Sequence, residues 1–132
     1  MKRIFLFTML ISALLIVAVS CKPSGGGGEE LGIQPAPIHE VRVNIAESYP
    51  VQIFIYIKGG LPDACATLYE VITERHDNII DITVTIERPQ GKACAQVYGY
   101  FEENVALGSN FTSGETYTVN VNDYKPVTFV MQ

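Results

Sequence analysis

Hydrophobic and polar residues alternate with a period of two over much of the chain beyond residue 40, the mark of strands that bury one face. Val41, Val43 and Ile45 alternate with Arg42 and Asn44; after a turn at Glu47-Ser-Tyr-Pro50, Val51, Ile53, Ile55 and Ile57 alternate with Gln52, Phe54, Tyr56 and Lys58. In this second run β-branched side chains occupy one face and aromatics the other, so a buried aliphatic side and a partly covered opposite side are expected. Gly59-Gly-Leu-Pro-Asp63 reads as a loop, because two glycines and a proline interrupt a ladder. From Cys65 to Arg75 the period is poorer. A strand is favoured there, with a turn or two of helix carrying Leu68, Val71 and Ile72 on one side as the alternative. His76-Asp-Asn78 is a turn cluster, and Ile80, Ile82, Val84 and Ile86 then alternate with Asp81, Thr83, Thr85 and Glu87. A strand directly after a tight turn predicts a hairpin back onto the preceding segment.

Arg88-Pro-Gln-Gly-Lys92 ends that strand, and a fifth is predicted from near Ala93 through Cys94, Gln96 and Tyr98 to Phe101, where the acidic Glu102-Glu-Asn104 takes over. Val105-Ala-Leu107 is a short apolar piece. Thr116, Thr118 and Asn120 alternate with Tyr117, Val119 and Val121, and Asn122-Asp-Tyr-Lys-Pro126 leads to Val127, Phe129 and Met131, a terminal hairpin. About seven short strands with turn signals roughly every 8–12 residues predict an all-β fold, a single antiparallel β-sandwich of immunoglobulin-like architecture. Trp is absent, so the core pattern of antibody domains does not apply.

The amino terminus reads differently. Met1-Lys-Arg3 precedes an apolar run from Ile4 to Val19 broken only by Thr8 and Ser12, a secretory signal peptide. A retained anchor helix is the alternative, disfavoured because the run is short for a span and no basic cluster follows it. Ala18-Val-Ser-Cys21 resembles a bacterial lipobox, in which the cysteine is acylated and becomes the mature terminus; cleavage nearby by ordinary signal peptidase is the alternative. The glycine-rich segment after Cys21 is a flexible spacer, and a chain from Lys22 to Gln34 would span roughly 20 Å. The expected organisation is residues 1–20 as a removed leader, 21–37 as a lipidated cysteine and tether, and 38–132 as the domain. Loss of Lys2 and Arg3 leaves seven basic against fourteen acidic residues, a formal charge of −7. Such a balance argues against nucleic acid and against electrostatic adhesion to anionic lipid.

Three cysteines mean a pair and one left over, and lipidation accounts for Cys21. If 67–75 and 79–87 form a hairpin, Cys65 and Cys94 arrive at the same end of the sandwich, within reach of a disulfide that closes a loop of about 30 residues, with two buried free thiols as the alternative. The predicted staple would hold the loops Gly60, Leu61, Pro62, Asp63 and Pro89, Gln90, Lys92 in shape as a candidate contact surface.

Leu61-Pro-Asp-Ala-Cys65, Glu74-Arg75 with Asn78, Thr83-Val-Thr-Ile-Glu-Arg-Pro89, Ala93-Cys-Ala-Gln96, Phe101-Glu102 and Gly114-Glu-Thr-Tyr-Thr-Val-Asn-Val121 resemble an uncharacterised group of bacterial lipoproteins with a small, disulfide-containing immunoglobulin-like β domain. The resemblance spans nearly all of residues 41–131 and implies the fold and an envelope location. It brings no functional residues with it.

Chemistry is sparse. His39 and His76 lie in separate segments without a second ligand at metal spacing. Glu74, Asp77 and Asp81 lack the Asp-rich loop of a calcium site. Ser24, Ser48, Ser109 and Ser113 sit in loop-like sequence outside any Gly-x-Ser-x-Gly turn. No cofactor or metal is expected, and an enzyme is not. Asn110-Phe-Thr112 fits a glycosylation sequon that a bacterial setting makes accidental. Tyr56, Tyr98, Tyr100 and Tyr117 stand on predicted strands, where tyrosines pack in a core or present a ring to a sugar or a protein. The expectation is a membrane-tethered, non-catalytic binding or structural module with an envelope protein or glycan as partner. A small inhibitor of an exported hydrolase and a carbohydrate-binding module are the alternatives.

Overall fold

The computed structural model describes residues Glu30 to Gln132; the expected leader, Cys21 and the glycine run lie outside the described residues. The described part is eight strands: β1 Leu31–Pro35, β2 Ile38–Ala46, β3 Gln52–Leu61, β4 Thr67–His76, β5 Ile79–Pro89, β6 Gly99–Gly108, β7 Thr116–Val121 and β8 Val127–Val130. They form a β-sandwich. One sheet is antiparallel, in the order β2, β3, β6. In the other, β5 pairs β4 along one edge and divides its second edge between β1 and β7, and β8 follows β7. The β5–β7 pairing is parallel, unlike the antiparallel pairing expected throughout.

Alternation built the core as the pattern predicts. Ile53, Ile55 and Ile57 of β3 are fully buried and share a core with Ile80, Ile82, Val84 and Ile86 of β5 and with Tyr117, Val119 and Val121 of β7. Each such side chain contributes about 1.5–3 kcal/mol on burial. The segment expected from Cys65 to Arg75 is strand and not helix, beginning at Thr67 and ending at His76, and the two-residue Asp77-Asn78 turn places Asp77 at φ 54°, a left-handed conformation that Asp tolerates. Thr67 pairs Glu87 in the hairpin register.

Four further expectations need correction. Gly59 to Leu61 is the end of β3, paired to Phe101, Tyr100 and Gly99 across β6. Residues 92–98 are irregular, so the strand expected from Ala93 begins at Gly99. It then runs through Glu102 and Glu103 to Gly108, because antiparallel pairing with β3 supplies Lys58 opposite Glu102. Finally, Leu31–Pro35, in the stretch expected as tether, pairs antiparallel with Pro89 to Thr85, so regular structure begins ahead of residue 38.

The divided edge of β5 leaves a gap that one side chain fills. β7 pairs as far as Ile82 and β1 as near as Thr85, leaving the Val84 backbone between them. Asn122 Oδ1 accepts from Val84 N at 2.9 Å, while its Nδ2 donates to Val84 O at 2.8 Å and Ala36 O at 2.9 Å. Its φ of 42° turns the chain out of β7 there. Asn is suited to both tasks, since it adopts left-handed backbone more readily than most residues and carries both donor and acceptor.

Candidate functional site

The outer face of the three-stranded sheet follows from register and period two. With Ile53, Ile55 and Ile57 inward, β3 turns Phe54, Tyr56, Lys58 and the Gly60 position outward. Pairing brings Glu40 and Glu102 beside Lys58, Arg42 and Asn104 beside Tyr56, and Tyr100 beside Gly60. Glu40 Oε1 meets Arg42 Nε at 2.9 Å, and the Arg42 guanidinium lies over the Tyr56 ring at 4.3 Å. Lys58 Nζ lies 4.9 Å from the Tyr100 ring centroid and 4.0 Å from Glu102.

Three local devices raise an aromatic cluster at the end of this face. The first is a bulge: Ile38 pairs Gly59 and Glu40 pairs Lys58, so His39 is an extra residue and is thrown to the outer side. The second is Gly60. Its missing Cβ leaves the room in which Tyr98 and His39 lie directly on the strand; an added Cβ would meet the Tyr98 hydroxyl and come within 2.8 Å of His39 Nε2. The third is the staple. Cys65 and Cys94 are disulfide-bonded with Cα atoms 5.8 Å apart, and Ala64 N donates to Ala95 O at 3.0 Å. These ties fix the irregular segment that carries Tyr98 into place.

The result is compact. His39, Tyr98 and Tyr100 ring centroids are 5.4 to 5.8 Å apart, each pair edge-to-face, and His39 Nε2 and the Tyr98 hydroxyl share a hydrogen bond of 2.7 Å. Tyr98 remains 46% and Tyr100 59% exposed, and neighbouring Val97 is 63% exposed.

The residues expected to form the contact loops fare unevenly. Gly60 is buried beneath the cluster and Leu61 ends β3. Asp63 is buried and structural: Oδ1 accepts from Cys65 N at 3.0 Å and Ala66 N at 3.1 Å, and Oδ2 meets Arg88 Nε in a charge contact poorly aligned for an N–H···O bond. Pro89 and Gln90 line a shallow polar groove with Gly32, Gln34 and Arg88, while Pro62 and Lys92 lie in the neighbouring connections. Asp63 also lies within 4.8 Å of both cysteine sulfurs. Joined to each other, those sulfurs are not thiolates and do not supply the usual ligands of a metal centre. Nothing in this arrangement indicates catalysis.

Of the four tyrosines, Tyr98 and Tyr100 come together, Tyr56 stands farther along the same face, and Tyr117 is core, its hydroxyl accepting from Thr112 N at 2.9 Å. In the sequence His39 carries no sign of an aromatic role, only the lack of a second metal ligand near it. The signal for its bulge lies in Ile38 and Val41, which both pack inward although three residues apart.

Residues 55–131 match the family model described as the ORF11 beta-sandwich domain. An uncharacterized 10.2 kDa protein in the HgiCIIM 5' region of Herpetosiphon aurantiacus is 34% identical over 86 residues, covering 65% of this chain and 90% of the relative. Its counterpart in the HgiBIM 5' region of the same organism is 34% identical over 76 residues, 58% of this chain and 92% of the relative. No solved structure matches.

Proposed function

Since the chain belongs to the ORF11 beta-sandwich family, we propose that it works as a non-catalytic binding module, tethered to a bacterial membrane through Cys21 and presenting the outer face of β2, β3 and β6 to a partner. The observation that carries this reading is the mounting of the exposed cluster. Fold stability does not call for half-exposed tyrosines at positions 98 and 100, where polar side chains would serve a solvated sheet face. A bulge, a strand glycine and a stapled segment nevertheless converge to hold the rings in one arrangement. Tyrosine is among the residue types enriched at binding hot spots, and pre-organisation lowers what ordering it on binding would cost. The tether rests on the sequence: the leader, the lipobox-like Ala18-Val-Ser-Cys21 and the glycine-rich spacer.

A hydrolase inhibitor would insert a protruding loop into its target, and of the loop residues expected to do so Gly60 and Asp63 are buried. That reading draws no support from the geometry.

Two measurements test the proposal. Cys21→Ser should move the exported protein from the membrane to the soluble fraction; if the variant stays with the membrane, the lipid tether is wrong. A photo-reactive side chain introduced at Val97 in cells should cross-link an envelope component, and Tyr100→Ala should abolish the adduct. Absence of any adduct, or an adduct indifferent to Tyr100→Ala, would remove the face from consideration.

A further inference from the structure

We infer that the ligand of this face is an uncharged glycan chain lying along β3, an inference that rests on the binding reading above. Strand rise is about 3.3–3.4 Å per residue, so the Tyr56 position stands about 13 Å from that of Gly60, beside which the Tyr98–Tyr100 cluster rises. Between them runs the row Glu40, Lys58, Glu102. A partner that touches both aromatic sites must cover that row.

This decides between a protein and a sugar. The centre of a protein interface is contiguous, desolvated and depleted of charge, with ionic groups left at the rim. Here the charges stand between the rings, and a dry surface pressed over them would strip water from the three ionic side chains of that row without replacing it. Glycan hydroxyls do replace it, since each can donate to a carboxylate and accept from an ammonium or guanidinium group. The C–H faces of the sugar rings meet the exposed rings of Tyr98 and Tyr100, which carry partial negative charge on their faces, while at the other end the Arg42 guanidinium seated over Tyr56 donates to sugar hydroxyls.

Net charge narrows the class. The described residues carry six basic and thirteen acidic side chains, yet this part of the face holds two of each: Arg42 and Lys58 with Glu40 and Glu102. A polyanion would be repelled by the molecule as a whole, and a polycation would be drawn to its acidic remainder. An uncharged chain is the ligand selected by this face in particular. The three rings of the cluster pack edge-to-face against one another. With Tyr98 and Tyr100 exposed on the sheet face, the glycan lies across them and is recognised along its length.

The test is affinity electrophoresis of the full chain in detergent, through native gels containing β-glucan, amylose, mannan or xylan, with alginate and heparin as anionic controls. At least one neutral polymer should retard the protein, free monosaccharides should not compete, and Tyr100→Ala and Tyr56→Ala should each weaken retardation up to about tenfold, the value of one aromatic contact. Tyr56→Phe, which keeps the ring, should retain binding and guards against a folding artefact. Retardation by none of the neutral polymers, by the anionic polymers alone, or equally in Tyr56→Ala overturns the inference. A Val97 cross-link to a protein without any retardation overturns the glycan and leaves the binding face standing; neither signal overturns both.

Discussion

Gly59 and Gly60 are adjacent in β3, yet replacing each by alanine should have opposite kinds of consequence. A Cβ on Gly59 points into the sandwich, onto Cζ and Cε1 of Phe101 and within 2.9 Å of its Cε2. Phe101 is half-buried and packed on the core, so relief requires moving a large ring against close-packed neighbours. Overpacking of that kind costs about 1–3 kcal/mol, offset by about 0.5–1 kcal/mol from removing a strand glycine. A Cβ on Gly60 points outward onto Tyr98 and His39, whose side chains have solvent to retreat into. Its cost is the 2.7 Å His39–Tyr98 bond, about 0.5–1.5 kcal/mol, nearly balanced by the same backbone gain. Urea denaturation should therefore place Gly59→Ala about 1–2 kcal/mol below the wild type and Gly60→Ala within about 1 kcal/mol of it. The ring signals of Tyr98 and Tyr100 in NMR spectra should shift in Gly60→Ala and ligand retardation should fall. If Gly60→Ala instead destabilises as much as Gly59→Ala, the cluster is part of the core and the case for a presented surface fails.

Other substitutions probe the supports. Asn122→Ala removes three hydrogen bonds and leaves the Val84 N–H without its partner, so chemical denaturation should show a loss of about 2–3 kcal/mol. Asn122→Gly, which relieves the left-handed backbone but not the lost bonds, should recover only a fraction. Replacing both Cys65 and Cys94 by alanine should lower stability by about 3–4 kcal/mol on the chain-entropy model and sharply raise hydrogen exchange across 92–98 while sparing β3. Two alkylatable thiols in the mature, non-reduced protein would contradict the staple directly. Glu103 faces the interior side of β6, an edge strand in the described sheet, between Phe101 and Val105. An inward charge on an edge discourages strand addition, so Glu103→Val should show concentration-dependent self-association by sedimentation velocity; a strictly monomeric variant would show that the edge is guarded by something else.

What the sequence disclosed and what it concealed divide along one physical line. Ile53, Ile55 and Ile57, and Ile80 through Ile86, were legible because alternation within a strand records which face is buried, and that information is local. The hairpin at Asp77-Asn78 was legible for the same reason, and its register carries Cys65 toward Cys94. β1 escaped notice because most of its residues are exposed, so it has no buried face to produce alternation. Glu102-Glu103 read as a strand ending, although an edge strand is where charge belongs. Gly59-Gly60 concealed most. A glycine pair is locally a breaker, and only the rings of Phe101 and Tyr98, some forty residues later, reveal that the chain needs two positions without side chains, one on each face. The stretch between the two cysteines therefore does more than brace a loop: it brings Tyr98 over a strand that left room for it. The same requirement makes the site vulnerable at Gly60, where a single methyl group would separate the rings without unfolding the protein.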